Sequence, residues 1–519
     1  VRKLKLLTRA SYVLYGYIFI MFLLVLFFNK PGTFIFARSV QIGCFVFATA
    51  IFLAMLYFMQ DKRRAVQDER NDTKVIVLTL GLLFIIQVLF VSQFYNQTGF
   101  DADYIYQAAQ GLSHPDFGPT YFSIYPNNLL LLFFERGVYK LHLFFGGTID
   151  FYWLLVLLNI VAIDGALYLI YKIGKKVFGR AVGLYAFILG MLLFGLMPWL
   201  TSVYSDTLSL SVGLLIFDLY LRLKNARKTQ TRIALGMMIG LLVQLGFLLK
   251  PSTIFIAIAI VLLELLTYDY KNVMRYGRRF MLSALVLGAI ASGMYSTKAV
   301  FNYTLTHQQI VEYDESMNFP FTHWLMMGMQ EAEYKGHPTY GFWSGEDFAL
   351  TYHTPGKYGK IRAHLGVIKK RLQQFGVFGY GRFLWNKSIW ILGDGTFFWG
   401  DEGVRASVTN KPGMKQDVQQ FVYASGEQHQ YYAYFLQTTW LLVLMCLSAT
   451  LFAIKQYRKK EFFIISCTIL GAILFVLLFE GRSRYIMNNL GFFVLGAGLG
   501  LKQILDTILN VMEQVKSKK

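Results

Sequence analysis

Charge is what this sequence has least of. Of its 519 residues, 15% are Asp, Glu, Lys or Arg, against about 25% in an ordinary soluble domain. A chain this long with so few charges cannot solvate its own surface. That excludes a cytosolic globular enzyme and a disordered chain. Cysteine is scarce too: Cys44, Cys446 and Cys467 are the only three. Each lies in an apolar run and none has metal-ligand spacing, which excludes a disulfide scaffold and reads them as small buried hydrophobes. What the chain does have is apolar surface, with 55% hydrophobic and 17% aromatic residues. This is the composition of an integral membrane protein, whose aromatic rings sit half in lipid and half in water.

Fifty basic residues against 30 acidic ones give a net charge of +20. In a soluble protein that balance would suggest nucleic acid. In a multispanning protein it reflects the collection of Lys and Arg on cytoplasmic loops, so no nucleic-acid partner is expected. A spanning helix needs about 20 mostly apolar residues. Apolar runs of that kind lie at 10–28, 39–59, 75–94, 150–172, 181–199, 207–222, 232–249, 252–268, 279–299, 432–454, 461–479 and 485–508. Basic clusters at Arg2–Arg9, Lys62–Arg64, Lys172–Arg180, Arg222–Arg232, Lys271–Arg279, Lys455–Lys460 and Lys516–Lys519 all fall on one side if these runs are helices and both ends of the chain are cytoplasmic. The first run is expected to be a spanning helix, not a cleaved signal.

The expected fold class is therefore an all-α polytopic membrane protein with about twelve transmembrane helices, outer-face interfacial helices and a small extracytoplasmic cap. Residues 1–73 form an N-terminal helical hairpin and 74–300 a seven-helix core with an outer loop at 95–149. Residues 301–431 form an extracytoplasmic region and 432–519 the C-terminal helices. Leu129 to Phe145 is apolar but carries Glu135, Arg136, Lys140 and His142. Those charges are costly in lipid and favour an interfacial helix over a thirteenth span. A helical pattern, interrupted, surrounds Gly359–Gln374.

Four groups of residues could carry chemistry. Asp101 and Asp103 follow the third apolar run immediately, in Gly99-Phe100-Asp101-Ala102-Asp103. Asp101 reads either as a helix cap or as a carboxylate base at the membrane surface, with a hydroxyl acceptor to deprotonate. The D-x-D spacing also allows a divalent metal; otherwise no cofactor is expected. Tyr125, Asn127 and Asn128 lie at a Pro-Asn-Asn turn, where the amides either cap the next helix or recognise sugar and acceptor hydroxyls. Lys250, Lys298, Arg482 and Arg484 are basic residues on the outer side, against the inside bias. They either snorkel to headgroups or converge on a phosphate, for which the arginine fork is well shaped. Glu480 is placed to orient the two arginines. Asp206, in Tyr204-Ser205-Asp206-Thr207, is either an N-cap or part of a sugar site.

These residues resemble the GT-C superfamily of membrane glycosyltransferases, which includes protein O-mannosyltransferases and the bacterial lipid A aminoarabinose transferases. Residues 75–300 follow that layout: one helix, an outer loop with an early acid and interfacial segments, then six helices. The spacing of Asp101, Tyr104-Ile105 and Ala109 is similar to a family pattern, as is Glu480…Arg484-Tyr485. Many members have Asp-Glu where this chain has Asp101-Ala102, which leaves Asp101 and Asp103 both open as the equivalent acid. The resemblance implies a sugar donor carried on a polyprenyl phosphate. The phosphate would lie near Arg482, Arg484, Lys250 and Lys298, and transfer to a glycan, glycolipid or protein acceptor would occur with inversion at the outer face of a bacterial plasma membrane. The absence of a P-loop or Rossmann fingerprint is consistent with such a donor. A polysaccharide polymerase or ligase, and a transporter or flippase of lipid-linked sugars, are the rival readings. Asp164 and Asp218, inside apolar runs, are what the last would use.

Overall fold

The computed structural model describes residues 2–28, 37–63, 69–96, 98–112, 118–267, 277–334, 336–401 and 406–517. Arg64, Lys271, Arg275, Lys518 and Lys519, which contribute to the one-sided basic bias, lie outside these residues. Each of the twelve apolar runs is helical over most of its described residues: α1 (Arg2–Phe28), α2 (Arg38–Arg63) and α3 (Glu69–Phe94) lead into the loop at 95–149. That loop holds α4 (Phe100–Gln110), α5 (Tyr121–Ile124) and α6 (Leu129–Phe144). The chain then continues through α7 (Phe151–Phe178), α8 (Arg180–Phe194), α9 (Ser205–Leu208), α10 (Leu210–Asn225), α11 (Thr229–Leu249), α12 (Phe255–Thr267) and α13 (Gly277–His307). A cap follows, made of α14 (Phe321–Met327), a hairpin of β1 (Glu331–Tyr334) and β2 (His337–Tyr340), α15 (Gly345–His353), α16 (Lys357–Leu392) and α17 (Met414–Val422). Helices α18 (His429–Ala453), α19 (Lys460–Leu478) and α20 (Leu490–Ser517) complete it.

Among the described residues, nine helical segments are long and apolar enough to cross a membrane, and Arg180–Phe194 and Pro251–Thr267 are shorter apolar helices. The twelfth, α10, has 16 residues and carries Asp218, Arg222 and Lys224 in its last turns. The protein is an all-α polytopic membrane protein. Apolar side chains left outside the bundle suit lipid contact: on α3, Leu78 is 73% exposed and Leu82 60%. The bundle centre is α20, packed on α18 and α8. Its glycines allow this: a Cβ on Gly500 would lie 1.7 Å from the Cys446 carbonyl oxygen, so only a bare backbone fits.

Helix α4 shows why this loop folds as it does. Tyr104, Ile105, Ala108 and Ala109 recur at helical spacing and are all buried. They pack with Tyr121, Phe122, Leu129, Leu131, Leu132 and Tyr204 in a second, smaller core beneath the loop. Leu129 to Phe145 becomes the 16-residue α6, which is not one of the span-length helices. Two of its charged residues are taken up by protein, while Lys140 is exposed. Arg136 donates to the Ala109 carbonyl at 2.9 Å. Glu135 turns inward, and burial pushes its carboxyl well above the usual carboxylate range.

In the cap, α16 is longer than the sequence pattern suggests and bends at Gly376, whose φ of 58° is left-handed. The cap is fastened to the bundle by main-chain bonds. The buried Lys387 ammonium donates to the carbonyls of Gly328 and Phe479, both at 2.7 Å. The Glu480 amide donates to the Trp324 carbonyl at 2.8 Å and the Gly481 amide to the Gly341 carbonyl at 3.0 Å. Inside the cap, His323 is fully buried, with Nδ1 2.7 Å from Thr351 Oγ1. Thr351 also meets His364 Nε2 at 2.9 Å. Burial, reinforced by His364 and Lys360, lowers the His323 imidazole to about 3. An unfolded imidazole titrates near 6.5, so below about pH 6.5 the unfolded chain binds a proton that the folded cap refuses, and stability falls with pH. Thermal unfolding midpoints should therefore drop between about pH 7 and pH 4.5, and His323→Gln should flatten that slope. An unchanged slope in the variant would place the acid sensitivity elsewhere.

Candidate active site

Asp101 sits in the first turn of α4, but it is not the cap. The N-cap is Gly99, and no side chain bonds there. Phe100, between them, has a left-handed φ of 54°, a conformation that costs a bulky residue about 1–3 kcal/mol and that clusters at functional sites. The turn presents the half-buried Asp101 carboxylate to two phenols. Tyr121 donates to Oδ1 at 2.7 Å and Tyr204 to Oδ2 at 3.3 Å. Burial first, and the Asp101 charge second, hold both hydroxyls well above the usual tyrosine range. Both therefore stay protonated and act as donors to the carboxylate.

The Tyr121 hydroxyl in turn accepts from Asn128 Nδ2 at 2.7 Å, and Asn128 Oδ1 accepts from Asn127 at 3.1 Å. Neither asparagine caps α6 with its side chain, so the capping reading is wrong for both. They form a polarised chain that ends on Asp101, with Asn128 buried and Asn127 exposed. Tyr125 packs on Tyr121, and on Phe319 and Trp324 of the cap. Burial, with Asp101 and then Glu480 adding to it, pushes its hydroxyl up. Tyr125 thus links the Asp101 loop to the cap.

Asp206 also fails as an N-cap, because Tyr204 occupies that position. It is a fully buried carboxylate between two cations. Lys250 Nζ lies 2.8 Å from Oδ1 and Arg484 Nη1 lies 2.7 Å from Oδ2. Lys250 comes from the C-terminal end of α11 and Arg484 from the 3-10 turn Ser483–Asn489. Both oxygens that would have met a sugar are thereby engaged. Tyr204 joins this cluster to Asp101: its ring centroid is 4.9 Å from the Arg484 guanidinium carbon and 6.0 Å from Lys250 Nζ. Tyr485 stacks on the same two cations at 5.1 and 4.6 Å and donates to Glu480 at 3.3 Å. Burial raises the Glu480 carboxyl, against the pull of Arg482. Arg482 lies over Phe342 and Phe398, at 4.8 and 5.3 Å.

Lys298 is not part of this gathering. It is exposed on α13, a helix that packs chiefly on α11. Asp103 turns to Gln107, which donates to it at 2.9 Å. Residues two apart on a helix point about 200° from each other, so the D-x-D pair diverges. Among the described residues, no group of three or more His, Cys, Asp or Glu is placed to hold a metal ion. Asp164 accepts from Gln87 at 3.1 Å, and Asp218 is paired with Lys172 and Arg222, each at 2.8 Å. Both are absorbed by structural partners.

Tyr204 and Asp394 are the parts of the site that residue patterns gave no role, and Tyr485 entered only through the Glu480…Arg484-Tyr485 resemblance. Asp394 fixes the turn after α16. It accepts from the Thr396 and Phe398 amides at 2.9 Å and from Ser483 Oγ at 2.5 Å. It thereby places the Phe398 ring against Arg482. The neighbouring Phe397 and Phe398 have left-handed φ values of 52° and 67°. The only sequence signal for this turn is its Gly393-Asp394-Gly395 composition.

The helix order and this cluster define a polytopic membrane protein with a half-buried acid near one buried cation, Arg484, and two half-buried ones, Lys250 and Arg482. The chain belongs to the family described as conserved hypothetical integral membrane proteins, whose family model matches residues 11–505. A comparison with curated proteins gives no match. Among solved structures the chain is similar to the archaeal oligosaccharyltransferase AglB from Archaeoglobus fulgidus, in complex with an inhibitory peptide and a dolichol-phosphate. Identity is 12% and the TM-score 0.36, over 85% of this chain and 52% of that one. The chain thus spans about half the length of that protein. It is also similar to ArnT from Cupriavidus metallidurans bound to undecaprenyl phosphate, at 12% identity and a TM-score of 0.33, over 83% of this chain and 78% of that one.

Proposed function

We propose that this protein is a GT-C-type membrane glycosyltransferase. It moves a sugar from a polyprenyl-phosphate donor to an acceptor hydroxyl at the extracytoplasmic face, in modification of the cell envelope. The observation that carries this reading is the junction at Tyr204, where the Asp101 carboxylate and the Arg484–Asp206–Lys250 cluster meet through one side chain. Asp101 takes the proton from the acceptor hydroxyl as its oxygen bonds to the anomeric carbon. The bond between that carbon and the phosphate oxygen breaks, and the electron pair leaves with the lipid phosphate. Arg482, Arg484 and Lys250 stabilise the charge that develops there. With Asp101 as the base and both Asp206 oxygens engaged by Lys250 and Arg484, displacement is direct and the anomeric centre inverts.

The test is a transfer assay on the full chain in nanodiscs, with polyprenyl-phosphate hexoses and pentoses as donors. Release of polyprenyl phosphate that depends on an added acceptor is the expected result. A companion mass-spectrometric comparison of envelope glycans with and without the gene would identify sugar and acceptor. No release from any donor, together with unchanged glycans, would remove the proposal.

A further inference from the structure

Helix α15 of the cap reverses the usual amphipathic order. Its polar positions face the protein: Asp347 and Thr351, one turn apart, are 3% and 0% exposed. Asp347 accepts two bonds from the Arg371 guanidinium, at 2.8 and 2.9 Å, and Thr351 meets His323 and His364. Its aromatic positions, one residue on, are turned outward. Phe348 is half-buried and Tyr352 is 43% exposed, and their rings stack at 5.9 Å with 14° between planes. A surface helix ordinarily turns its apolar stripe to the core and its polar stripe to water. The reversal forgoes hydrophobic burial unless something covers the rings.

Trp343 extends this aromatic face toward the Asp101 loop. It directly precedes the helix N-cap, Ser344, whose hydroxyl accepts from the Asp347 amide at 3.3 Å. Its ring edge lies along the first residue of α15: a Cβ on Gly345 would be 3.6 Å from Trp343 Cη2. The Phe348 ring is 6.5 Å away. The Trp343 indole also hydrogen-bonds the Tyr125 hydroxyl, and an indole N–H can only donate. Tyr125 in turn packs on Tyr121, the direct donor to Asp101. Held at all these points, Trp343 is still 46% exposed. Its neighbour Phe342 is buried and meets Arg482. Two consecutive residues thus touch the cation side and the Asp101 side of the candidate site.

An aromatic belt at the bilayer surface accounts for Trp and Tyr whose polar ends meet lipid headgroups. Trp343 instead spends its only polar atom on Tyr125 and presents bare ring outward. The surroundings are polar: Glu346, in the first turn of α15, is exposed, and Asn127 is the exposed end of the amide chain that runs to Asp101. Flat rings with a polar rim suit a pyranose, whose C–H face covers a ring while its hydroxyls meet the rim. Rigid aromatic rings with a few placed polar groups are the usual makeup of an orienting site.

We infer that the acceptor is a carbohydrate chain and that its sugars stack on the shelf formed by Trp343, Phe348 and Tyr352, an assignment that rests on the transferase reading above. Trp343 takes the sugar nearest Asp101, and Tyr352 takes one farther along the chain. The shelf acts in binding and orienting the acceptor, not in the transfer step itself.

The test gives the full chain in nanodiscs a polyprenyl-phosphate sugar and one of three acceptors: oligosaccharides cut from the cell's own envelope polysaccharides, a peptide containing serine and threonine, or diacylglycerol. Oligosaccharide binding without donor is measured separately by calorimetry. Oligosaccharides should be the preferred acceptors. Trp343→Ala should raise their KM and Kd about ten-fold or more, the effect expected for loss of an anchoring ring, with kcat changed far less. Trp343→Phe should recover most of that, because a ring remains. Tyr352→Ala should weaken longer oligosaccharides more than a disaccharide. The thermal shift given by polyprenyl phosphate should match the wild type in all three variants, which reports an intact fold and donor side. If Trp343→Ala does not fold, Tyr352→Ala, on an exposed ring, carries the comparison. Transfer to peptide or diacylglycerol with oligosaccharides inert, or an oligosaccharide KM unchanged in the folded variants, would overturn the carbohydrate shelf and leave the transferase standing. Oligosaccharide binding that the variants weaken, with no transfer by the wild type from any donor, would support the shelf and remove the transferase. Neither binding nor transfer would overturn both.

Discussion

Asp101→Asn should lower sugar transfer by about 100-fold or more, because a positioned general base contributes about 10²–10⁴. The substitution keeps the size of the side chain, and one amide oxygen can still accept from Tyr121 or Tyr204. Folding should therefore be retained, and an unchanged thermal midpoint would confirm it. Donor binding should survive, since the cations that would face the phosphate are held by Asp206 and by the segment before α20. Asp103→Asn should have a much smaller effect, because its carboxylate meets Gln107 on the opposite side of α4. A fully active Asp101→Asn protein would defeat the assignment of the base. Loss of activity together with loss of fold would point to a structural role, and Asp101→Glu then offers a second comparison with the carboxylate retained.

Asp206→Ala carries the largest expected loss of stability. It leaves Arg484, 2% exposed, and Lys250 without the carboxylate both now share. Removing one partner from a buried ionic group costs about 3–5 kcal/mol. If the same two cations receive the donor phosphate, polyprenyl phosphate should restore part of what is lost. It should therefore raise the thermal midpoint of Asp206→Ala more than that of the wild type. A lipid phosphate that stabilises both proteins equally would separate Asp206 from the phosphate site and leave it a purely structural residue. Arg484→Lys is a useful companion: it keeps the charge but loses the fork, and should show a weaker donor response than the wild type.

The sequence made the helices legible because lipid imposes a coarse rule, about 20 apolar residues per span. It made α4 legible because its buried positions recur at helical spacing. The site was visible only in part. Lys250 and Arg484 stand out as cations at the wrong end of a helix. Nothing local connects them to Asp206, which is 278 residues from Arg484. Capping readings of Asp101, Asn128 and Asp206 failed for a related reason. Gly99 and Tyr204 hold the cap positions that Asp101 and Asp206 would need, and Asn128, which does hold its cap position, turns its side chain to Tyr121 instead. Lys298 shows the converse: position near a helix end does not say which way the side chain faces, and α13 presents it outward. Tyr204 was hidden because its importance lies in touching two charged groups from opposite sides, a property no spacing encodes.

The buried Lys387 ammonium bears on how substrates reach Asp101. It ties the Gly328 carbonyl of the cap to the Phe479 carbonyl at the end of α19, while the Glu480 and Gly481 amides add two further links to the cap. Swinging the cap away would break three bonds, Lys387 to Phe479, Glu480 to Trp324 and Gly481 to Gly341, and leave a buried cation with one carbonyl fewer, a local opening that costs stability. The cap therefore behaves as a fixed roof, not a door. Under the proposed function, donor and acceptor would then reach Asp101 from the side of this roof, and the size of acceptor accommodated would be set by how closely the loop meets it, where Tyr125 packs on Phe319 and Trp324.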